Sequence, residues 1–414
     1  MNKLRVGIIG FGRIGAEHAG WIAASGAAEV AAVCDPTPLR LEKARQHPLL
    51  TGRDVQFVAQ WQRLITLADL DAVLVSTPSA MHHQQVMASL SARPSGGLHV
   101  MVEKPMALDL AQARQMVQQA QKCRRILSVF HNRRWDADYL RVRQVRNSGV
   151  LGKWINVESR LHQYASCVGP AVREYRPNWR NEAAFGGGGL YDWGSHFVDQ
   201  LWQLMLPAKP IRVFAQLRSN VWSSDCDDFA RLCIDFDDHA VGLLEINCTT
   251  ALPLPRWHID GTRGTVQSPS SPTFDVNTWA DLSATPSPIR TGASSTVGNG
   301  DQMTSYSSPL GEVGRGLPYL IQPLIDGPVL SAAGAPTGGL GFSSALPPLL
   351  SPGLTESDIW RTFIAAARGE GHPAVPARSV LPTMLLLDAA RLSSRQGQAV
   401  DVRDPFNELL TGCV

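Results

Sequence analysis

The chain has 414 residues, 44% of them hydrophobic and 18% charged, and a formal net charge of +2. That length exceeds what one ordinary core organises, and the near-neutral balance sets up no basic field for nucleic acid or an anionic membrane. Seven dispersed cysteines without a Cys-x-x-Cys spacing argue against a disulfide framework or structural zinc, and no apolar run reaches membrane-spanning length, so the expectation is a reduced, cytoplasmic, two-domain protein.

Residues 4–10, Leu-Arg-Val-Gly-Ile-Ile-Gly, read as a strand buried on both faces, because its apolar run is nearly continuous. A G-x-G-x-x-G follows at once as Gly10-Phe-Gly12-Arg13-Ile14-Gly15 and opens a helix. Gly10 permits the tight turn, Gly12 lets backbone approach a pyrophosphate, and Gly15 lets helix and strand pack closely, with the helix N-terminus supplying amide donors. The second apolar run, Val30–Cys34, ends in Asp35 at the spacing expected of a ribose-binding acid. A carboxylate there accepts from ribose hydroxyls and repels a 2′-phosphate, which favours NAD over NADP, although Arg40 lies close by in sequence.

Further buried strands are expected at Ala72–Val75, His99–Val102 and Ile126–Phe130. Between the last two lies the clearest helix, with Asp109 as N-cap, Gln112 as its capping-box partner, and Ala113, Met116, Val117 and Ala120 as the apolar stripe. Strands alternating with helices imply right-handed crossovers and a parallel sheet. Glu103-Lys104-Pro105 closes the His99–Val102 strand and so faces the crevice in which open parallel sheets bind ligands. Taken alone, a solvated charge pair before a turn is the better reading of that triplet. Adjacent His82 and His83 have no third metal-ligating residue at suitable spacing, and no metal is expected.

After about residue 132 period-two alternation takes over, at Trp154–Leu161, Ile211–Leu217 and Phe229–Phe236. The last run is followed by Asp237-Asp238-His239 and Ala240–Ile246, a hairpin in an antiparallel sheet with one packed and one free face. A glycine run, Gly186–Gly189, introduces a helix around Tyr191–Leu204 on which Asp192, His196 and Asp199 share one face at i, i+4 and i+7; a polar face on an amphipathic helix is an equal reading. Residues 268–354 are rich in Ser, Pro, Gly and Thr and read as long loops with one strand near Thr278-Trp279, before helical pattern returns at 356–367 and 383–394. The division expected is 1–132 for dinucleotide binding, 133–400 for substrate binding and oligomerisation, and 401–414 as a C-terminal tail.

These motifs together resemble the Gfo/Idh/MocA family of sugar and inositol oxidoreductases. The resemblance runs from residue 4 to about 265 plus the C-terminal helical part. It is carried by Gly10–Gly15 with His18, by Thr77-Pro78 with His82, and by His99-Val-Met-Val-Glu103-Lys104-Pro105. It continues through His131-Asn-Arg-Arg-Trp-Asp136, Trp179-Arg180 and Asp192-x-x-x-His196-x-x-Asp199. Ser79 stands where relatives often carry Asn, and 268–354 departs from the family pattern. The resemblance implies an α/β Rossmann domain followed by an α+β domain with a large, mostly antiparallel open sheet, and an NAD(P)-dependent dehydrogenase or reductase acting on CH-OH groups. Its cofactor sites would be Gly10, Gly12, Arg13, Ile14, Gly15, Asp35, Thr77, Pro78, His82, Glu103 and Lys104. Lys104, Asp192 and His196 would be the catalytic set, His196 taking the alcohol proton, Asp192 orienting it or meeting the substrate, and Lys104 donating to the reacting oxygen. Lys104, Arg133, Tyr164, Arg180, Asp192 and His196 would line the polyol pocket, with Arg176 a further candidate; surface or interdomain hydrogen bonding is an equal reading for the arginines and Tyr164.

Two other functions stay open on sequence alone. One is a glycoside hydrolase that holds NAD and oxidises, then re-reduces, its sugar. The other is a dinucleotide-sensing regulator, which has no need of Lys104 with Asp192 and His196. A free sheet face in a monomer would leave a large exposed patch, from which a homo-dimer or homo-tetramer is expected.

Overall fold

The computed structural model describes residues 2–93, 97–165, 179–268, 320–323 (backbone) and 353–411. The first sheet is built from β1 (Leu4–Ile9), β2 (Ala28–Cys34), β3 (Gln56–Val58), β4 (Ala72–Val75), β5 (His99–Val102) and β6 (Leu127–Val129). Its order is β3-β2-β1-β4-β5-β6, and every pairing is parallel. The helices between strands are α1 (Arg13–Ala24), α2 (Pro38–Arg45), α3 (Trp61–Ile65), α4 (His82–Leu90) and α5 (Leu110–Lys122). All four residues of β4 are buried, as expected of a strand covered on both faces. The order reverses between β1 and β4, so their carboxyl ends splay apart and leave the crevice in which such sheets hold ligands. Gly10, Thr77 and Glu103 follow the ends of β1, β4 and β5 and therefore face it.

Asp109 caps α5 by accepting the Gln112 amide at 2.7 Å, and the apolar stripe Ala113, Met116, Val117 and Ala120 is buried as the periodicity requires. The reciprocal half of the expected box is absent, because the Gln112 side chain turns to the Leu108 amide instead.

Helix α6 (Ala137–Ser148) leads into a second sheet of β7 (Trp154–His162), β8 (Pro210–Arg218), β9 (Phe229–Phe236), β10 (Val241–Asn247), β11 (Trp257–Gly261), β12 (Gly264–Gln267), β13 (Leu320–Pro323) and β14 (Val400–Asp401). Its order is β13-β12-β11-β7-β10-β9-β8-β14; β7 and β10 pair parallel and the other neighbours antiparallel. The β9–β10 hairpin forms where expected, with His239 at φ 71° in its turn. Helix α7 (Ser195–Met205) is buried along Ser195–Trp202 beneath this sheet, so an entirely solvated polar face is excluded for it.

Two sequence expectations change. Helix α8 (Glu356–Ala367), expected with the second domain, packs on α1, and its Ile359, Trp360, Phe363 and Ile364 share a core with Ile8, Ala19 and Ile22. Helix α9 (Leu381–Gln396) stays with β8 and α7, where Thr383 accepts the Trp202 indole N–H at 3.0 Å. The expected tail is folded: β14 pairs with β8, and α10 (Arg403–Thr411) buries Phe406 against Trp202. The free face of the second sheet carries Arg212–Asp235 and Arg231–Glu245 pairs at 2.6 Å and a His162–Glu245 contact at 3.0 Å. Beside them Phe214, Cys233 and Leu243 form one cross-strand row that is not buried. The strand expected near Thr278-Trp279 lies outside the described residues, as does Arg176.

Candidate active site

The glycine turn is shaped by contacts that only glycine allows. Gly10 sits at φ 91°, and a Cβ on Gly15 would lie 2.2 Å from the Gly10 carbonyl oxygen. At Gly12 a Cβ would meet only the tip of the Arg40 side chain, 2.9 Å away. Gly12 is the N-cap of α1, no side chain caps the helix there, and the Arg13 guanidinium points away to Glu17 at 3.1 Å. An uncapped helix start at the mouth of the crevice suits a pyrophosphate, so the turn fits a dinucleotide.

Asp35 does two jobs that the sequence did not separate. It is buried, its Oδ2 accepts the Phe11 amide and its Oδ1 the Thr37 amide, both at 3.0 Å. It thereby fixes the glycine turn to the end of β2 while keeping carboxylate lone pairs for a ribose. Arg40 stands 3.8 Å from the same carboxylate.

The Thr77-Pro78 turn is shaped from within. Thr77 donates its hydroxyl to Gln85 at 2.6 Å, and the His82 ring nitrogens lie 2.9 Å from the Thr77 and Pro105 carbonyls. His82 is fully buried, and burial lowers its pKa despite those carbonyls. The structure thus makes His82 a tie between the β4 and β5 loops, where the sequence offered it as a cofactor contact. His83 turns to Gln115, and no metal-ligating cluster occurs among the described residues.

Lys104 and Asp192 meet across the two halves of the molecule. Lys104 Nζ donates to the Asp192 carbonyl at 2.7 Å and to its Oδ1 at 3.0 Å, and Arg180 Nε lies 3.5 Å from the same oxygen. Burial alone would raise the Asp192 carboxyl, but Lys104 and Arg180 hold it below the usual carboxylate range. Asp192 lies in a π-helical turn, Leu190–Gly194, that precedes α7, a widened turn of a kind frequent at functional sites. The turn breaks the expected i, i+4, i+7 alignment. Asp192 faces Lys104, whereas Asp199 is buried in a bidentate pair with Arg134 at 2.7 and 2.8 Å and accepts from Thr383.

His196 begins α7. It is buried, and desolvation, with Lys104 and Arg133 nearby, lowers its pKa well below 6.5. Its Nδ1 has no hydrogen-bond partner, so the expectation that Asp192 orients this imidazole is not met. A second histidine that sequence reasoning passed over faces it edge-on: the His131 ring centroid lies 5.4 Å from that of His196. Both His131 nitrogens are buried without a partner, and burial pushes its pKa down to about 4. Its sequence signals were its place at the end of β6 and its position heading the His131–Asp136 segment. Of the remaining pocket candidates, Arg133 pairs with Asp136 at 2.9 Å and stacks over Trp193, and Arg180 stacks over Trp179. Tyr164 packs edge-on against Trp222 and is not brought to Lys104 by any contact described.

A parallel sheet with its glycine turn at the switch point, and a lysine and histidine converging beside it, defines a dinucleotide-binding oxidoreductase. Comparison with known proteins makes this specific. The profile "Oxidoreductase family, NAD-binding Rossmann fold" matches residues 4–131, and the "GFO/IDH/MocA C-terminal domain" matches residues 139–267. The uncharacterized oxidoreductase YdgJ of Escherichia coli is 31% identical over 265 residues, which cover 64% of this chain and 70% of YdgJ. The scyllo-inositol 2-dehydrogenase (NADP(+)) IolW of Bacillus subtilis is 27% identical over 57% of this chain and 61% of its own length. An NAD-binding protein from Listeria innocua has the same fold at a TM-score of 0.72, with 22% identity over 97% of each chain. The chain belongs to the Gfo/Idh/MocA oxidoreductase family. Among the described residues no helix is long and apolar enough to cross a membrane.

Proposed function

We propose that the protein is an NAD(P)-dependent dehydrogenase that moves a hydride between the nicotinamide and a secondary alcohol or ketone of a sugar, sugar derivative or inositol. The observation that carries this reading is the convergence of Lys104, from the end of β5, on Asp192 and His196, from the other half of the chain. A sensor of the dinucleotide has no use for such a constellation.

When bound, the nicotinamide supplies the hydride acceptor. The chain supplies the proton chemistry. His196, kept neutral by burial and by Lys104, is a base at neutral pH and takes the hydroxyl proton. Lys104 donates a hydrogen bond to the same oxygen and stabilises the alkoxide as it forms. Asp192 holds Lys104 in place and, with Arg180, presents polar groups to neighbouring hydroxyls. Glu103, which accepts the Lys104 amide at 3.1 Å, shapes the loop rather than taking part in the chemistry. IolW's action on an inositol makes cyclic polyols the first substrates to try, and Asp35 favours NAD.

Screening inositols and sugars for NADH or NADPH formation tests this. His196→Ala and Lys104→Ala each lower turnover by roughly 10²-fold or more while dinucleotide binding persists. Unchanged turnover in both variants would sink the assignment. The wild-type acid limb of kcat/KM lies below pH 6.5, because only the unprotonated imidazole is a base and its pKa is depressed.

A further inference from the structure

Behind Lys104 lies a chain of hydrogen bonds that ends in the C-terminal part of the sequence. Trp360, fully buried on α8, donates its indole N–H to His18 Nδ1 at 3.0 Å. An indole nitrogen only donates, so Nδ1 carries a lone pair and the ring proton sits on Nε2. His18 Nε2 then donates to Glu103 Oε1 at 2.9 Å, and Glu103 Oε2 accepts the Lys104 backbone N–H at 3.1 Å. Both carboxylate oxygens of Glu103 therefore accept, which favours the ionised form. Burial works against that charge, but the His18 hydrogen bond and Lys104 outweigh it and leave Glu103 below its ordinary range. His18 is fully buried and boxed by the rings of Trp21, Phe130 and Trp360 at 4.8, 4.3 and 5.7 Å between centroids, so it cannot swing away.

We propose that Trp360 and His18 are positioning residues for the reaction: Trp360 anchors the His18 ring through Nδ1, His18 fixes Glu103, and Glu103 fixes the backbone that presents Lys104. The inference rests on the reading of Lys104 as the group that meets the reacting oxygen. It gives α8 a purpose beyond completing the first core, because the helix reaches the catalytic loop through one indole N–H. Neither Trp360 nor His18 touches Lys104 itself.

The test uses the full chain with three substitutions and two readouts, one of which needs no substrate. In His18→Leu, Glu103 loses a donor, and the Lys104 amide exchanges with solvent roughly tenfold faster than in the wild type. In the same variant kcat for scyllo-inositol, or for the polyol that turns over best, falls about tenfold with KM and the NAD Kd changed less than twofold. His18→Gln places an amide donor near the former Nε2 and restores most of both values, which a packing defect would not allow. Trp360→Phe keeps the ring packing but removes the donor that anchors Nδ1, so the Lys104 amide exchanges faster than in the wild type, by less than in His18→Leu. If His18→Leu does not fold, exchange of the Lys104 amide in Trp360→Phe decides the matter. Wild-type exchange and kcat in His18→Leu, a His18→Gln variant as impaired as His18→Leu, or wild-type Lys104 exchange in Trp360→Phe would each overturn the proposal. Exchange that responds while the wild type turns over no polyol leaves the relay supported and counts against the alcohol reading instead.

Discussion

The molecule contains two glycine turns at its functional centre, and they work in opposite ways. In Gly10–Gly15 the outer glycines lie against backbone, but the middle is open: the nearest atoms to a side chain at Gly12 belong to the flexible tip of Arg40, and the start of α1 has no side-chain cap. Gly186–Gly189 is filled by the protein itself. A Cβ on Gly186 would lie 2.5 Å from Leu108, on Gly187 2.4 Å from the Arg180 carbonyl, and on Gly188 2.3 Å from the Asp227 carboxylate. Asp227 accepts the Leu190 amide at 2.7 Å, and its burial pushes its pKa up to about 6. The first turn therefore serves the cofactor, and the second serves the chain by delivering Asp192 to Lys104. Glycine content alone does not distinguish the two; the open Cβ position at Gly12 does.

The comparison breaks most sharply under one-carbon substitutions. Gly188→Ala, at φ 104° and against a buried carboxylate, costs about 3 kcal/mol or more in denaturant unfolding, with or without dinucleotide. Gly12→Ala changes unfolding of the free protein by about 0.5 kcal/mol or less but weakens dinucleotide binding roughly tenfold in titration calorimetry. Equal effects on stability would erase the distinction.

A second effect belongs to the substrate side. The His131 pKa of about 4 in the folded state lies below the ordinary 6.5, so the unfolded chain takes up a proton first as pH falls. Its contribution to stability is complete above pH 6.5 and is lost on the way down to pH 4, roughly 3 kcal/mol for that shift. His131→Gln flattens the pH dependence of unfolding across this window by that amount, read as the difference from wild type because Asp227 and Asp136, both raised to about 6, slope the other way. The smallest effect is at the first turn. Arg40→Ala weakens NADP binding by about tenfold and NAD binding by less than twofold, since Arg40 stands where a 2′-phosphate would reach Asp35.

The first turn was legible because each of its requirements is local: a strand, three glycines, a helix and an acid in register. The Asp109 cap and the α5 stripe were legible for the same reason. The α7 site was only half legible. Its residue types were visible, but the π turn at Leu190–Gly194 changes which way Asp192 faces, and periodicity assumes a uniform helix. Arg134 and Thr383 at Asp199, Pro105 at His82, and Glu103 and Trp360 at His18 come from other parts of the chain, and no spacing rule links them. Alternation marked which residues share the free sheet face, but the cross-strand ion pairs and the Phe214–Cys233–Leu243 row on it appear only once the register is known.

The most direct test follows one deuterium. With scyllo-inositol deuterated at every ring carbon and excess NAD, the account predicts deuterated reduced cofactor, one deuterium per turnover, in mass spectrometry, and a roughly 10²-fold slower appearance in His196→Ala. No deuterium in the cofactor across a panel of ring-deuterated inositols and sugars, with either dinucleotide, or a cleaved glycoside without net reduction, would contradict it.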